Sequence, residues 1–312
     1  MDIDFDIIDR AFAPIRDRAL QALEPHTHRQ KKLLFHYTSA TVLQKLVERP
    51  VIWATDTGYL NDASEMLYAL DVVALIAKEL RGDARTKWSR EFLSRIEAPS
   101  WPGPNVYEVY VSCFSEEPDV LSQWRAYAND GAGYSIGIEV EPSFSVAEST
   151  DAVRLVQVIY GLDRQKDLLR PWVSEVVHVL DDLAARQVAD DDEESMGAAV
   201  FNAGVALKMV VSELAVVMKN PGFSEEHEWR LVFSTMGPGG HAPTKFRSSR
   251  FGLTPYVEIT THAVLPLRSV TRGPKLDSQE AHVALFRFLT GAGFKMLGDD
   301  PVKIQKSQIA YR

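Results

Sequence analysis

The sequence predicts an α+β protein: a mixed β-sheet core with an N-terminal helix and a helical insertion. Three observations carry that expectation. Short runs rich in β-branched and aromatic residues recur along the chain, the best of them VYEVYVSCFS at 106–115. Helical segments are scattered among these runs without regular strand–helix–strand alternation, which disfavours a doubly wound parallel sheet. Two long helical segments, near 163–188 and 196–219, follow each other directly and read as an insertion at about 163–219. Residues 1–32 are expected to form an N-terminal helical extension, and 33–312 a single domain.

In order, Ile3, Ile7, Ile8, Phe12 and Ile15 recur at helical spacing, so residues 2–22 predict an amphipathic helix that Pro25 ends. LLFHYT has strand character, and Ser39 sits where an N-cap belongs ahead of ATVLQKLVER. Pro50 separates this helix from a second strand, VIWA. Asn61 or Asp62 is suited to cap the next helix, and Asp62 with Glu65 has capping-box spacing. After the 106–115 strand come a helix, DVLSQWRAYA, the turn NDGAG, and the strands YSIGIEVE and AVRLVQVIY. Beyond the insertion, a strand begins at about 228 in EEHEWRLVF. YVEIT, AVLPLRSVTRGPK, a helix over 277–291 and the strand VKIQKS complete the chain.

The chain of 312 residues is 46% hydrophobic and 25% charged, an ordinary globular composition. Its single cysteine, Cys113, excludes an intramolecular disulfide and a cysteine-rich zinc site, and suits a reducing cytoplasm. The opening MDIDFDIIDRAF is acidic and amphipathic, unlike a secretory signal. The one membrane-like stretch, 197–218, is interrupted by Asn202, Lys208, Ser212 and Glu213. It reads as a buried helix, so no membrane partner is expected. A net charge of −9 argues against indiscriminate coating of nucleic acid. Residues 243–312 nevertheless carry 11 Lys and Arg against 5 Asp and Glu, a local +6 that leaves −15 on the remainder. Such a basic face suits a polyanion or a pyrophosphate, or simply complements the acidic part of the same molecule.

GPGG at 237–240 lacks the Gly-Lys-Ser/Thr ending of a P-loop and reads as a turn. No His-Glu-x-x-His occurs, and His26 with His28 has no visible partner cluster, so no metal is expected. Three places are richer in chemistry. In the first, His36, Tyr37, Thr38, Ser39, Trp53, Tyr59, Asn61, Asp62 and Glu65 crowd the ends of two strands. They offer directional hydrogen bonds and stacking surfaces, although core packing and helix capping account for them singly. In the second, Ser115 ends the best strand, and Trp124 and Tyr127 flank Arg125 on the following helix. In the third, strand alternation puts Glu228, Arg230 and Val232 on one side and Trp229, Leu231 and Phe233 on the other. Glu228 with Arg230 is either a plain ion pair or a carboxylate aimed into a cleft.

Taken together these motifs resemble a bacterial family, the domain of unknown function 2971 family. Its pattern appears here as His36 to Ser39, Asn61-Asp62-Ala63-Ser64-Glu65, Cys113 to Ser115, Trp124 to Tyr127, Glu226 to Arg230, RGPK at 272–275 and SQIAYR at 307–312. More weakly, the chain resembles the ADP-ribosyltransferase fold of the His-Tyr-Glu type. His36 and Thr38 correspond to its first-strand motif, IWATDTGY with Trp53 and Tyr59 to its second, and Glu228 to its glutamate. Tyr37 stands where that motif usually has glycine, and Trp53 where it usually has tyrosine.

This resemblance implies an enzyme that cleaves the nicotinamide–ribose bond of NAD and transfers ADP-ribose to an unknown acceptor, a protein, a nucleic acid or water. A role as a defence or toxin effector is one expectation. Glu228 and His36 would be the catalytic pair. Tyr37, Thr38, Ser39, Trp53, Tyr59, Ser115, Arg125 and Arg230 would hold NAD, with Asn61, Asp62, Glu65, Trp124 and Tyr127 as further cleft candidates. The alternatives are a non-catalytic module that binds a nucleotide or protein, and a metal-dependent nuclease built on Asp62, Glu65 and Glu228.

Overall fold

The computed structural model describes residues 5–19, 21–60, 64–98, 107–147, 149, 152–186, 193–236, 243–249 and 252–311. The first third of the chain forms α1 (Phe5–Ala19), β1 (Thr27–His28), β2 (Lys32–Thr38), α2 (Ala40–Glu48), β3 (Val51–Asp56), α3 (Ser64–Leu80) and α4 (Lys87–Ile96). Then come β4 (Tyr107–Ser115), α5 (Leu121–Tyr127), β5 (Tyr134–Val140), β6 (Ser145–Val146), β7 (Arg154–Gln157), α6 (Leu162–Ala185) and α7 (Glu193–Leu214). The remainder forms β8 (Glu228–Met236), β9 (Lys245–Ser249), β10 (Gly252–Thr260), β11 (Leu267–Arg272), α8 (Gln279–Gly291) and β12 (Lys303–Lys306).

The strands join one mixed sheet, in which β11 and β12 run parallel and the other described pairs antiparallel. Its main path is β1-β7-β8-β4-β2-β5-β11-β12, and β3 leaves this path at β4 to pair with β10, which also holds β6 and β9. The sheet therefore branches at β4. That branch positions the site.

Helices α1, α3, α4, α6 and α7 cover one face. Ile8, Phe12 and Ile15 of α1 are at most 1% exposed and share a core with Val173 of α6, Val210 of α7, and Val111 and Val232 of the sheet. Each such side chain contributes about 1.5–3 kcal/mol on leaving water. The segments read as an N-terminal extension and an insertion thus form the helical half of one core. Among the described residues one helical stretch, Glu194–Val217, is long and apolar enough to cross a membrane, and 78% of its most apolar window is buried inside the protein. The opposite face of the sheet buries Trp229, Leu231 and Phe233 with Ile136, Val257 and Leu285. Both sides of β8 are core, where alternation had marked only the second side so.

Besides the two-residue strands β1 and β6, two elements had no place in the sequence reading. Helix α4 is capped by Thr86, whose hydroxyl accepts from the Ser89 N–H, and it buries Trp88, Phe92, Leu93 and Ile96 at a helical period. Strand β9 buries little of itself and exists through its ladder with β10. The expected Asn61–Asp62 cap and the GPGG turn lie outside the described residues, as does the side chain of Glu65.

Candidate functional site

Strand β2 pairs with β5 along its whole length, but meets β4 only where Phe35 faces Ser115. Strand β3 meets β4 at Thr55–Val111 and Asp56–Tyr110. Between these contacts the β4 edge around Ser112–Phe114 is open, and a cleft of about 620 Å³ occupies the gap. That volume suits a small organic ligand.

His36 spans the opening. Its Nδ1 donates to the Cys113 carbonyl at 3.0 Å, and its ring rests against Phe114. Burial lowers the His36 pKa below 6.5, against a smaller opposing effect of the Cys113 bond. A neutral imidazole protonated on Nδ1 leaves Nε2 as a hydrogen-bond acceptor, and His36 is among the residues that border the cleft.

Aromatic side chains form the walls. Trp53, 40% exposed, lies against Tyr256 with ring centroids 4.5 Å apart. Tyr59 closes a tight turn in which the Asp56 carboxylate accepts the Gly58 N–H at 2.8 Å. Tyr127 faces them from α5, and burial with the nearby charge of Glu226 raises its pKa.

The floor holds a compact charge cluster. Glu228 accepts from Arg230 Nε at 2.8 Å on one oxygen, and from Arg230 Nη2 at 3.1 Å and Lys219 Nζ at 2.8 Å on the other. Lys219 also donates to Glu226 at 2.6 Å. Burial alone would raise the Glu228 pKa. The charge and hydrogen bonds of Arg230, then Lys219 and the Cys113 thiol, outweigh it and bring the pKa to about 2. The cluster balances two acids against two bases.

His36 and Glu228 both border this cleft, as the sequence reading required. They leave opposite faces of the sheet, however. Glu228 shares the face of Ser115, whereas His36, one residue from Phe35, shares that of Phe114. Trp53, Tyr59, Tyr127 and Thr38 also border the cleft.

Other expected contacts are corrected. Tyr37 borders the cleft, but its ring packs edge-on against buried Trp124 and its hydroxyl is used by Glu117 and Val120. Ser39 caps α2 by accepting the Val42 N–H and does not border the cleft. Ser115 is 1% exposed and ties down the Glu226 and Glu117 backbone. Trp124 is wholly buried, with its indole N–H on Asp119. Arg125 points outward over the Tyr311 ring. Arg230 is 1% exposed, donates from Nη1 to the Val216 carbonyl and does not border the cleft, so it is not placed to grip a pyrophosphate. In each case local packing captured a group that strand and helix ends seemed to offer.

Residues outside that expectation also border the cleft: Gln123, Glu226, Lys45 and Arg247. Glu226 was legible as the first acid of Glu-x-Glu-Trp-Arg. Lys45 and Arg247 come from distant segments with no local signal.

Fold and site together define an α+β protein with a ligand-sized cleft where its mixed sheet branches. Residues 123–231, which begin within α5 and take in the charge cluster, match the profile of a family described as Protein of unknown function (DUF2971), which supports the family resemblance and includes its motifs Trp124 to Tyr127 and Glu226 to Arg230. No curated protein and no solved structure matches the chain.

Proposed function

We propose that the protein is an ADP-ribosyltransferase-like enzyme that takes NAD into the branch cleft. The observation that carries this reading is His36, anchored on Cys113 through Nδ1 and bordering a cleft walled by Trp53, Tyr59 and Tyr127, with Nε2 left as an acceptor. An acceptor suits a ribose hydroxyl, and aromatic walls suit a flat nicotinamide ring. Cleavage of the nicotinamide–ribose bond develops oxocarbenium character, which a carboxylate stabilises by about 3 kcal/mol when well aimed. Glu228 remains ionised at any physiological pH. Its four lone-pair positions are, however, met by Arg230 twice, Lys219 once and the Cys113 thiol. To hold the ribose it must exchange its weakest donor, the thiol, for a sugar hydroxyl. The acceptor is a protein, a nucleic acid or water, and the cytoplasm, where NAD is at hand, is the proposed setting.

This saturation of Glu228 favours a second reading, a nucleotide-binding module without catalysis. The nuclease reading has no such support: Asp62 and the side chain of Glu65 lie outside the described residues, and Glu228 is engaged in ion pairs.

The test combines NAD binding, followed by calorimetry, with nicotinamide release measured by chromatography. The enzyme reading expects saturable binding, and release abolished in a folded Glu228→Gln variant. Binding without release supports the module. No binding of NAD sinks both readings.

A further inference from the structure

Arg230 and Arg125 are turned away from the cleft, which leaves open what would meet the phosphates of a dinucleotide. We infer that Arg247 and Lys45 form an anion subsite on the β3 wall, built for the diphosphate of the ligand. The inference rests on the nucleotide reading above.

Strands β9, β10 and β3 lie side by side, with Arg247 opposite Thr254 and Tyr256 opposite Thr55. The Arg247 side chain crosses β10 to donate from Nη2 to the Thr55 hydroxyl at 3.2 Å. Its Nε is buried and has no hydrogen-bond partner among the described residues. A buried guanidinium N–H without an acceptor costs stability unless a ligand supplies one. Lys45 reaches the same wall from α2, with Nζ 5.8 Å from the centre of the Trp53 ring and no ion pair among the described residues. Trp53 and Thr55 are two positions apart on one strand, so they share a face about 7 Å apart.

The charges around them favour an anion. Arg49 and Lys245 both pair with Glu258, at 2.6 and 2.7 Å. Glu226 and Glu228 are balanced by Lys219 and Arg230. Counting the cleft-lining charges with these partners, Lys45, Arg49, Lys219, Arg230, Lys245 and Arg247 stand against Glu48, Glu226, Glu228 and Glu258, six against four, a surplus of two positive charges. Arginine presents a planar fork of donors that matches phosphate oxygens, and lysine adds a mobile point charge. The Trp53–Tyr256 pair beside them offers a ring surface at the same wall.

The experiment measures affinities of pyrophosphate, ADP-ribose, NAD and the phosphate-free nicotinamide riboside by calorimetry. It compares the native protein with Arg247→Gln and Lys45→Met, each checked for a native melting transition. A charge-assisted hydrogen bond to phosphate predicts that Arg247→Gln weakens pyrophosphate, ADP-ribose and NAD about ten- to a hundredfold, with nicotinamide riboside unchanged. Lys45→Met shows a smaller loss confined to the same three ligands and shrinking with salt. If Arg247→Gln fails to fold, Lys45→Met decides alone. Native NAD affinity retained in both variants overturns the subsite and leaves the nucleotide reading intact. Arg247-dependent binding of pyrophosphate without binding of NAD sustains the subsite and overturns the nucleotide reading. A native protein that binds none of the four overturns both.

Discussion

The His36 imidazole donates from Nδ1 to the Cys113 carbonyl at 3.0 Å, joining β2 to β4 where the sheet ladder between them has already parted. A side chain thus does what a backbone amide does elsewhere in the sheet. The same bond leaves the other ring nitrogen as an acceptor on a residue that borders the cleft.

The first prediction is a pH dependence. Burial depresses the His36 pKa below 6.5, so the unfolded chain binds this proton more readily than the folded one. Its contribution to stability is complete above pH 6.5 and is lost as pH falls below that value. Protonation also removes the Nε2 acceptor. NAD affinity is therefore expected to be flat from pH 8 to 6.5 and to fall below it, and His36→Ala is expected to abolish that fall. Calorimetry across this range checks it; an affinity that rises on acidification contradicts the assigned tautomer.

Glu228 carries a linkage of the same sign in a more acidic window. Its folded pKa of about 2 lies below the ordinary 4.5, so its stabilisation is present above pH 4.5 and is lost as pH falls toward 2. Glu228→Gln leaves Arg230 buried without a carboxylate, and is expected to cost about 3 kcal/mol at neutral pH. The variant should also lose acid sensitivity between pH 4.5 and 2. Urea unfolding at pH 7 and pH 3 measures both. A neutral-pH loss below about 1 kcal/mol would show that the pair contributes little.

Asp119 clasps the C-terminal segment to α5. Its carboxylate accepts the Trp124 indole N–H at 2.6 Å, the Ser307 hydroxyl at 2.6 Å and the Gln308 N–H at 2.7 Å. Asp119→Ala strands the buried indole N–H and is expected to destabilise by about 2–3 kcal/mol. Hydrogen exchange should show new opening at residues 306–311 and in α5. Unchanged protection there would refute the clasp.

Two glycines make a matched pair. A Cβ on Gly133 would lie 2.3 Å from the Thr38 carbonyl oxygen and 2.7 Å from that of Ala128. Gly133→Ala is therefore expected to destabilise by about 3 kcal/mol, because rigid backbone must move. Gly197, inside α7, has nothing within 4 Å of its Cβ position. Gly197→Ala is expected to stabilise by about 0.5–1 kcal/mol. Thermal melts of the two should move in opposite directions.

Much of the architecture was readable along the chain because its signals are local. The period of Ile8, Phe12 and Ile15 announced α1, Ser39 announced the start of α2, and the β-branched run at 107–115 announced β4. The alternation of Glu228, Arg230 and Val232 against Trp229, Leu231 and Phe233 holds as read. Strand β9 was hidden because it buries few of its side chains and depends on β10 for its ladder. Arg247 was hidden with it.

The sequence by itself determined where most strands and helices lie, and which segments hold polar and aromatic groups at strand ends, since backbone propensity and burial period act over a few residues. Tertiary structure decided which of those groups are free to meet a ligand. Trp124, Ser115 and Arg230 look as available as Trp53 and Tyr127 along the chain, but a buried donor must find a partner, and theirs are Asp119, Glu226, Glu228 and Val216. The branch at β4 is likewise a matter of ladder pairing over distances that no local pattern encodes. It sets Lys45 of α2, Trp53 of β3 and Arg247 of β9 around one opening.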